Sequence, residues 1–487
     1  MGSLPNWHTT VPYPEPFLSW IKEYGGAVYY REFLADVVLL SDPRALQHVL
    51  ASDGNNYPRD AKARKYATTL FPADNLSTTE GLEHDKLRKM FNPYFGLSQI
   101  KAFLPLFEQC TLERLLPILE KAAQSKEIVN MKAELANFTL AVIGQVSFSY
   151  DFDANPAVHA AFVQLFTPPS MSMILGMTYI PGYESLPFEE PSRRRAAKKA
   201  LFGAMEEVVQ HKLASKNASN DMMDLFLPKS TRLQAISYAI QMTAAGHETS
   251  SSTLAFVVAE AFHRSDVVAA MRAECHQVLE KHGTFASWEA TQELSYTTAV
   301  VQETLRLRTV VQKLHRRVAV KDDRIPMSDG STIFIPKGTA IEMFTSAMHR
   351  NPRYWTTPDD FIPERFLPGT PEWKADEILR GGSSHTFNYL PFSFGSKNCI
   401  GQRFAMAEVV IALAWIVTEF DLQVDPKCNT RVKFNGFTSG PAELFVKLAK
   451  TVLVDESVKD GWIRIHVKAK RVCASPWTNQ IPSYIET

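Results

Sequence analysis

The 487 residues carry 52 basic and 52 acidic side chains, so no net charge draws the chain toward nucleic acid or an acidic partner. With 45% hydrophobic and 21% charged residues and no low-complexity linker, the composition fits one large globular domain. The five cysteines, Cys110, Cys275, Cys399, Cys428 and Cys473, are odd in number and widely spread, which argues against a disulfide framework and for a reducing compartment. No apolar run reaches membrane-span length; the nearest, Val409 to Val417, is too short, and Met1 to Pro16 lacks signal-peptide or anchor character.

In chain order, Ala27 to Tyr30 and Val37 to Leu40 are short β-type runs, and Ser41-Asp42-Pro43 starts a helix over Arg44 to Ala51. Within Gly81 to Phe95, His84 and Arg88 stand four apart on one helical face. From Ile100 to Gln164 the apolar spacing is helical, with Pro105 and Pro117 as interruptions or first-turn residues. Phe166 to Phe188 is broken by Pro and Gly and rich in Met, Ile and Leu, which suits either a loop lining an adaptable surface or plain core. Arg193 to Lys212 is a basic helix with a solvated face. Leu233 to His263 is a long helix, and its Ala245-Gly246-His247-Glu248-Thr249-Ser250 predicts a local opening in the hydrogen-bond ladder, because glycine and a β-branched residue weaken a helix.

Further on, Glu303 and Arg306 share one helical turn, and His315-Arg316-Arg317-Val318 precedes the strand-and-turn Ile333 to Gly338. Phe361-Ile-Pro-Glu-Arg-Phe366 follows. The chain then reaches Pro391-Phe-Ser-Phe-Gly-Ser-Lys-Asn-Cys-Ile-Gly401, leading into an apolar helix that ends near Phe420. Gly395 and Gly401 permit a close approach to a flat ligand, and Phe392 packs beneath. A cysteine at a helix start feels the dipole and amide N–H groups, which favour the metal-binding thiolate.

The spacing Phe392-x-x-Gly395-x-Lys397-x-Cys399-x-Gly401 resembles the haem-binding signature of the cytochrome P450 family, and the likeness runs from roughly Gly25 to Leu448. The resemblance implies a mainly α fold with small β-sheets and haem b between two long helices. It implies Cys399 as the iron ligand, and His84, Arg88, Arg317, Phe392, Gly395, Lys397 and Gly401 as haem-binding residues. Arg317 is chosen over His315 and Arg316 by its position before Val318. Lys397 departs from the family's usual Arg or His, which predicts a weaker and more mobile propionate contact. Glu303, Arg306 and Arg365 correspond to a buried structural triad.

Thr249 and Glu248 match the family's proton-handling pair, which implies a monooxygenase acting with O2 on a small hydrophobic substrate. No dinucleotide or P-loop fingerprint is present, so electrons are expected from NADPH-cytochrome P450 reductase. Lys397 and Arg403 suit either docking of that partner or a solvated face. An apolar lid, with Thr309 to Leu314, Phe437 and Thr438, suggests a lipophilic pocket, and the general look resembles fungal secondary-metabolism members with a terpenoid-like substrate. The other readings are a reductase-independent isomerase, dehydratase or peroxygenase, and a haem sensor. The expected domain spans 1–448, followed by an atypical tail over 449–487. Peripheral membrane contact is expected, on the cytoplasmic side of the endoplasmic reticulum if an anchor is missing and otherwise in the cytoplasm.

Overall fold

Alternating apolar residues fold Ala27–Glu32 (β1) antiparallel to Ala35–Leu40 (β2), pairing Ala27 with Leu40 and Glu32 with Ala35. The computed structural model describes residues 13–32, 35–152, 156–167, 169–214, 221–434 and 438–451. Arg317–Val318 (β3) pairs antiparallel with Ala340–Glu342 (β4), which lies parallel to β2, giving the order β1-β2-β4-β3. After β2, the Asp42 carboxylate accepts from the amides of Arg44 at 3.0 Å and Ala45 at 3.1 Å. That cap starts Pro43–Gln47, which passes into a wider π turn at His48–Ser52.

Helices make up most of the body, Met1–Lys450. Those that matter for function are Gly81–Phe91 (α1), Leu97–Cys110 (α2), Met131–Phe148 (α3), Met171–Tyr179 (α4), Glu189–Ala214 (α5), Arg232–Ala261 (α6), Ser295–Leu307 (α7) and Gln402–Glu419 (α8). The central helix α6 is opened by a reciprocal Thr231/Gln234 cap and packs against α3, α7 and α8. In α8 the run Val409–Ala414, with Ile416 and Val417, is buried, so its apolar length reflects a core helix enclosed by protein.

Three expectations need correction. The stretch Phe166–Phe188 holds a helix, α4, because the Ser170 hydroxyl accepts from the Met173 amide at 3.1 Å and caps an otherwise apolar segment. The basic run on α5 is not simply solvated: Arg194 donates to the carbonyls of Leu165 and Thr167, Arg195 to Leu186, and Lys198 to Thr69. These cations tie α5 to neighbouring chain ends whose carbonyls lack helical partners. In α6 no break occurs at Gly246; a Cβ there would lie 2.8 Å from Ile143 Cδ1, so the glycine lets α3 approach. Phe437, Cys473 and the tail beyond Thr451 lie outside the described residues.

Candidate active site

The Cys399 loop is shaped by its backbone. Ser393 and Gly395 adopt φ of +60° and +80°, and the turn closes as the Cys399 amide donates to the Phe392 carbonyl at 2.8 Å. A Cβ at Gly395 would lie 1.9 Å from the Leu50 carbonyl oxygen. The glycine is therefore required by the His48–Ser52 turn as well as by its φ. At Gly401 a Cβ would stand 4.0 Å from the Cys399 sulfur, an ordinary contact that leaves this face open. Phe392 is half-buried against the main core.

Burial is the largest influence on the Cys399 thiol and raises its pKa, while the Gly401 amide and the Arg88 charge pull it down. The expected thiolate preference is thus outweighed by desolvation until a cation supplies the missing charge. Cys399 is nonetheless exposed by area. A desolvated sulfur with open area lines an internal cleft. His315 shares this character, being exposed while burial and neighbouring arginines bring its imidazole to about 4.

One wall of the cleft is cationic. Alternation at the start of β3 separates Arg317 from Arg316 just before it: Arg316 reaches Glu342 at 2.8 Å and Glu32, whereas Arg317 is buried with its Nε lacking any partner. Burial and the nearby Arg59 lower the Arg317 pKa to about 10. Sequence reasoning missed Arg59; a β-bridge between Arg59 and Arg317 brings the two together. Glu80 is also new, and it accepts from Arg59 Nε at 2.5 Å and meets Lys397 Nζ at 2.9 Å. Lys397 is therefore held by a carboxylate rather than mobile. No local signal marks Arg59 or Glu80, since their role arises from pairing across distant segments.

His84 is buried and kept neutral, mainly by desolvation and then by the positive charges of Arg59 and Lys397. Arg88 clasps the Cys399 loop, donating from Nη1 to the Asn398 carbonyl and from Nη2 to its side-chain oxygen, each at 2.6 Å. Among the described residues, Glu80 is the acid that Arg59, Arg317 and Lys397 share. This surplus, with an orphaned buried guanidinium nitrogen, fits a ligand that presents carboxylates beside a metal ion bound to Cys399.

On α6 the stretch around Glu248 is open. Ala245 is exposed and Ala244, Gly246, Glu248 and Thr249 are half-buried, whereas most of α6 between Ala235 and Ala259 is buried. The Thr249 hydroxyl donates to the Ala245 carbonyl at 2.7 Å. Glu248 accepts from the Thr438 hydroxyl; burial raises its pKa, opposed by Thr438 and the Lys132 charge. Away from the cleft, Glu303 holds Arg306 through two bonds of 2.6 and 2.7 Å, and Arg365 Nε lies 3.5 Å from the same carboxylate.

Known proteins resemble the chain over most of its length. The family model described as Cytochrome P450 matches residues 6–448. Cytochrome P450 3A18 of Rattus norvegicus is 27% identical over 436 residues, covering 85% of this chain and 83% of the relative. Cytochrome P450 3A5 of Homo sapiens is 26% identical over 462 residues, covering 90% and 86%. The crystal structure of a cytochrome P450DA heme domain aligns with a TM-score of 0.75 at 20% identity, covering 90% of this chain and 93% of that one, a likeness of fold. These relatives are mammalian rather than fungal. The cationic edge beside Lys397 suits the two propionates of haem b, and the chain belongs to the cytochrome P450 family of haem-dependent monooxygenases.

Proposed function

We propose that the protein inserts one oxygen atom of O2 into a small lipophilic substrate, with electrons from a separate NADPH-cytochrome P450 reductase. Bound haem b supplies oxygen activation, with Cys399 as its thiolate ligand. Arg59, His84, Arg317 and Lys397 would hold the propionates, while Arg88 fixes the loop that carries Cys399. The observation that carries the reading is that Thr249 and a half-buried Glu248, whose pKa is raised by desolvation, adjoin on the open stretch of α6. Glu248 keeps a proton at higher pH than an ordinary carboxyl, and rotation away from Thr438 would present it to the Thr249 hydroxyl.

Several apolar side chains support a lipophilic substrate. Met171, Ile174, Leu175 and Tyr179 of α4, then Ile180 and Phe188, are exposed, a patch suited to peripheral contact with the cytoplasmic face of the endoplasmic reticulum. Among the described residues no single helix is long and apolar enough to cross a membrane. The fungal terpenoid expectation draws no support from the mammalian relatives, so the proposal stops at a lipophilic small molecule.

Thr249→Ala should lower product formed per NADPH by roughly 10²-fold, the low end for a positioned proton donor, with the reductant diverted to peroxide. Unchanged coupling in a reductase-supported assay would remove Thr249 from the relay. Arg317→Leu should weaken haem binding roughly 10- to 100-fold, the value of a charge-assisted bond. The haem-free variant should melt no lower than wild type, because the Arg317 Nε has no protein partner to lose. Titration with haem and thermal denaturation separate the two effects; unchanged haem affinity would refute the assignment.

A further inference from the structure

Away from the cleft, two segments far apart in the chain bring metal-ligating side chains together. His48, Asp53 and Asp323, all half-buried, each place a ligand atom within 4.8 Å of the other two. The π turn His48–Ser52 sets the first pair: the Asp53 amide donates to the His48 carbonyl at 2.9 Å, a five-residue step that brings Asp53 back beside His48. Asp323 opens the strand Asp323–Pro326, which pairs antiparallel with Thr332–Ile335. Leu46, Val49, Leu50, Tyr57, Ile325 and Ile335 share one buried apolar cluster, which anchors both backbones.

Charge at this junction is not balanced by protein cations. His48 Nε2 lies 2.8 Å from Asp323 Oδ2, and the Tyr57 hydroxyl donates to the same oxygen at 2.6 Å. Among the described residues no lysine or arginine pairs with Asp53 or Asp323, whose ion pairing is limited to the His48–Asp323 contact. Arg324, next in the chain, turns instead to the Phe334 ring, 5.7 Å away. Two carboxylates this close repel unless they share a cation. A separate observation comes from Asn56, which is 2% exposed. Its Oδ1 accepts from the Lys321 amide and its carbonyl from the Val320 amide, each at 3.0 Å, which holds it between the same two segments. Its Nδ2 has no partner, and an orphaned buried donor commonly marks an ordered water or ion.

One imidazole nitrogen with two carboxylate oxygens is a donor set for zinc-like ions, whereas calcium and magnesium take oxygen ligands. We propose that His48, Asp53 and Asp323 bind a divalent cation of the zinc class, which clamps the π turn to the strand Asp323–Pro326. On binding, the contact between His48 Nε2 and Asp323 opens and the imidazole proton sits on Nδ1. The metal takes the Nε2 lone pair and one oxygen from each carboxylate, with water in the fourth position. The clamp is structural and independent of the oxygen chemistry. It bears on the haem loop because the Leu50 carbonyl of the same turn lies against Gly395.

The test is equilibrium dialysis of the full haem-loaded chain against zinc, with bound metal counted by elemental mass spectrometry, alongside thermal denaturation. Wild type should retain one more zinc than Asp53→Asn or His48→Gln, and zinc should raise its melting temperature by mass action but leave that of Asp53→Asn unmoved. Zinc held by thiols is common to all three proteins and cancels in the difference. Asp53→Asn is the decisive variant, because it keeps the side-chain shape and breaks no ion pair, so it should fold and retain the wild-type carbon monoxide spectrum. Its zinc affinity should fall by more than about 100-fold, since even outer-shell partners are worth about 10- to 100-fold. Excess calcium should not displace the zinc. Equal zinc in wild type and Asp53→Asn, or zinc that calcium displaces, overturns the site.

Discussion

Cys399→Ser should abolish the red-shifted Soret band of the reduced carbon monoxide complex and bring oxygenation to background, while the haem-free fold survives. The chemical reason is that a serine hydroxyl does not ionise where a thiol does, and thiolate donation favours O–O cleavage. The fold should survive because most of the bonds that shape the loop bypass the sulfur, and a serine oxygen can still accept from the Gly401 amide. The Cys399 amide bonds Phe392, Arg88 grips Asn398, and Gly395 lies against Leu50. Circular dichroism and melting of the haem-free variant check the second half. A Cys399→Ser protein that keeps the thiolate band would overturn the ligand assignment.

Glu303→Ala should cost about 3–5 kcal/mol of folding stability, the range for removing one partner of a buried ion pair. Glu303 and Arg306 are fully buried, and the carboxylate also accepts from the Ile362 amide at 2.7 Å. Its loss strands the Arg306 charge and takes away one of two acids beside Arg365, whose other partner is Asp376 at 3.0 Å. Arg306 also donates to the carbonyls of His349, Pro358 and Asp360, so the damage should spread through the segment before the Cys399 loop. Arg350→Ala is a poorer probe, because its partner Asp359 is exposed and a pair open to water is worth little. Denaturant unfolding measures the difference; a loss for Glu303→Ala below about 1 kcal/mol, the scale of an exposed pair, would refute a structural triad.

Local chemistry was legible wherever neighbours in sequence are neighbours in space. The Asp42 cap, the β1–β2 alternation, the length of α6 and the Glu303–Arg306 turn all follow from spacing, because helix and strand periods act over a few residues. Local reading failed where a residue's reason lies in another segment. Gly246 looked like a helix breaker and is a packing site for Ile143. The α5 cations looked solvated and bind backbone carbonyls of distant segments. Lys397 looked loosely held and meets Glu80 at 2.9 Å.

By itself the sequence determined the family and the order of the motifs and pointed to Cys399 as the proposed iron ligand, since the Phe392–Gly401 pattern is contiguous and its chemistry is carried by residue type. Only the tertiary structure decided which cations gather beside Lys397, that the Arg317 Nε is left without a partner while Arg316 is paired, and that Glu80 balances Arg59 and Lys397. Charge balance and burial are properties of space, set by the sum of what surrounds an atom, and segments far apart in the chain supply that sum.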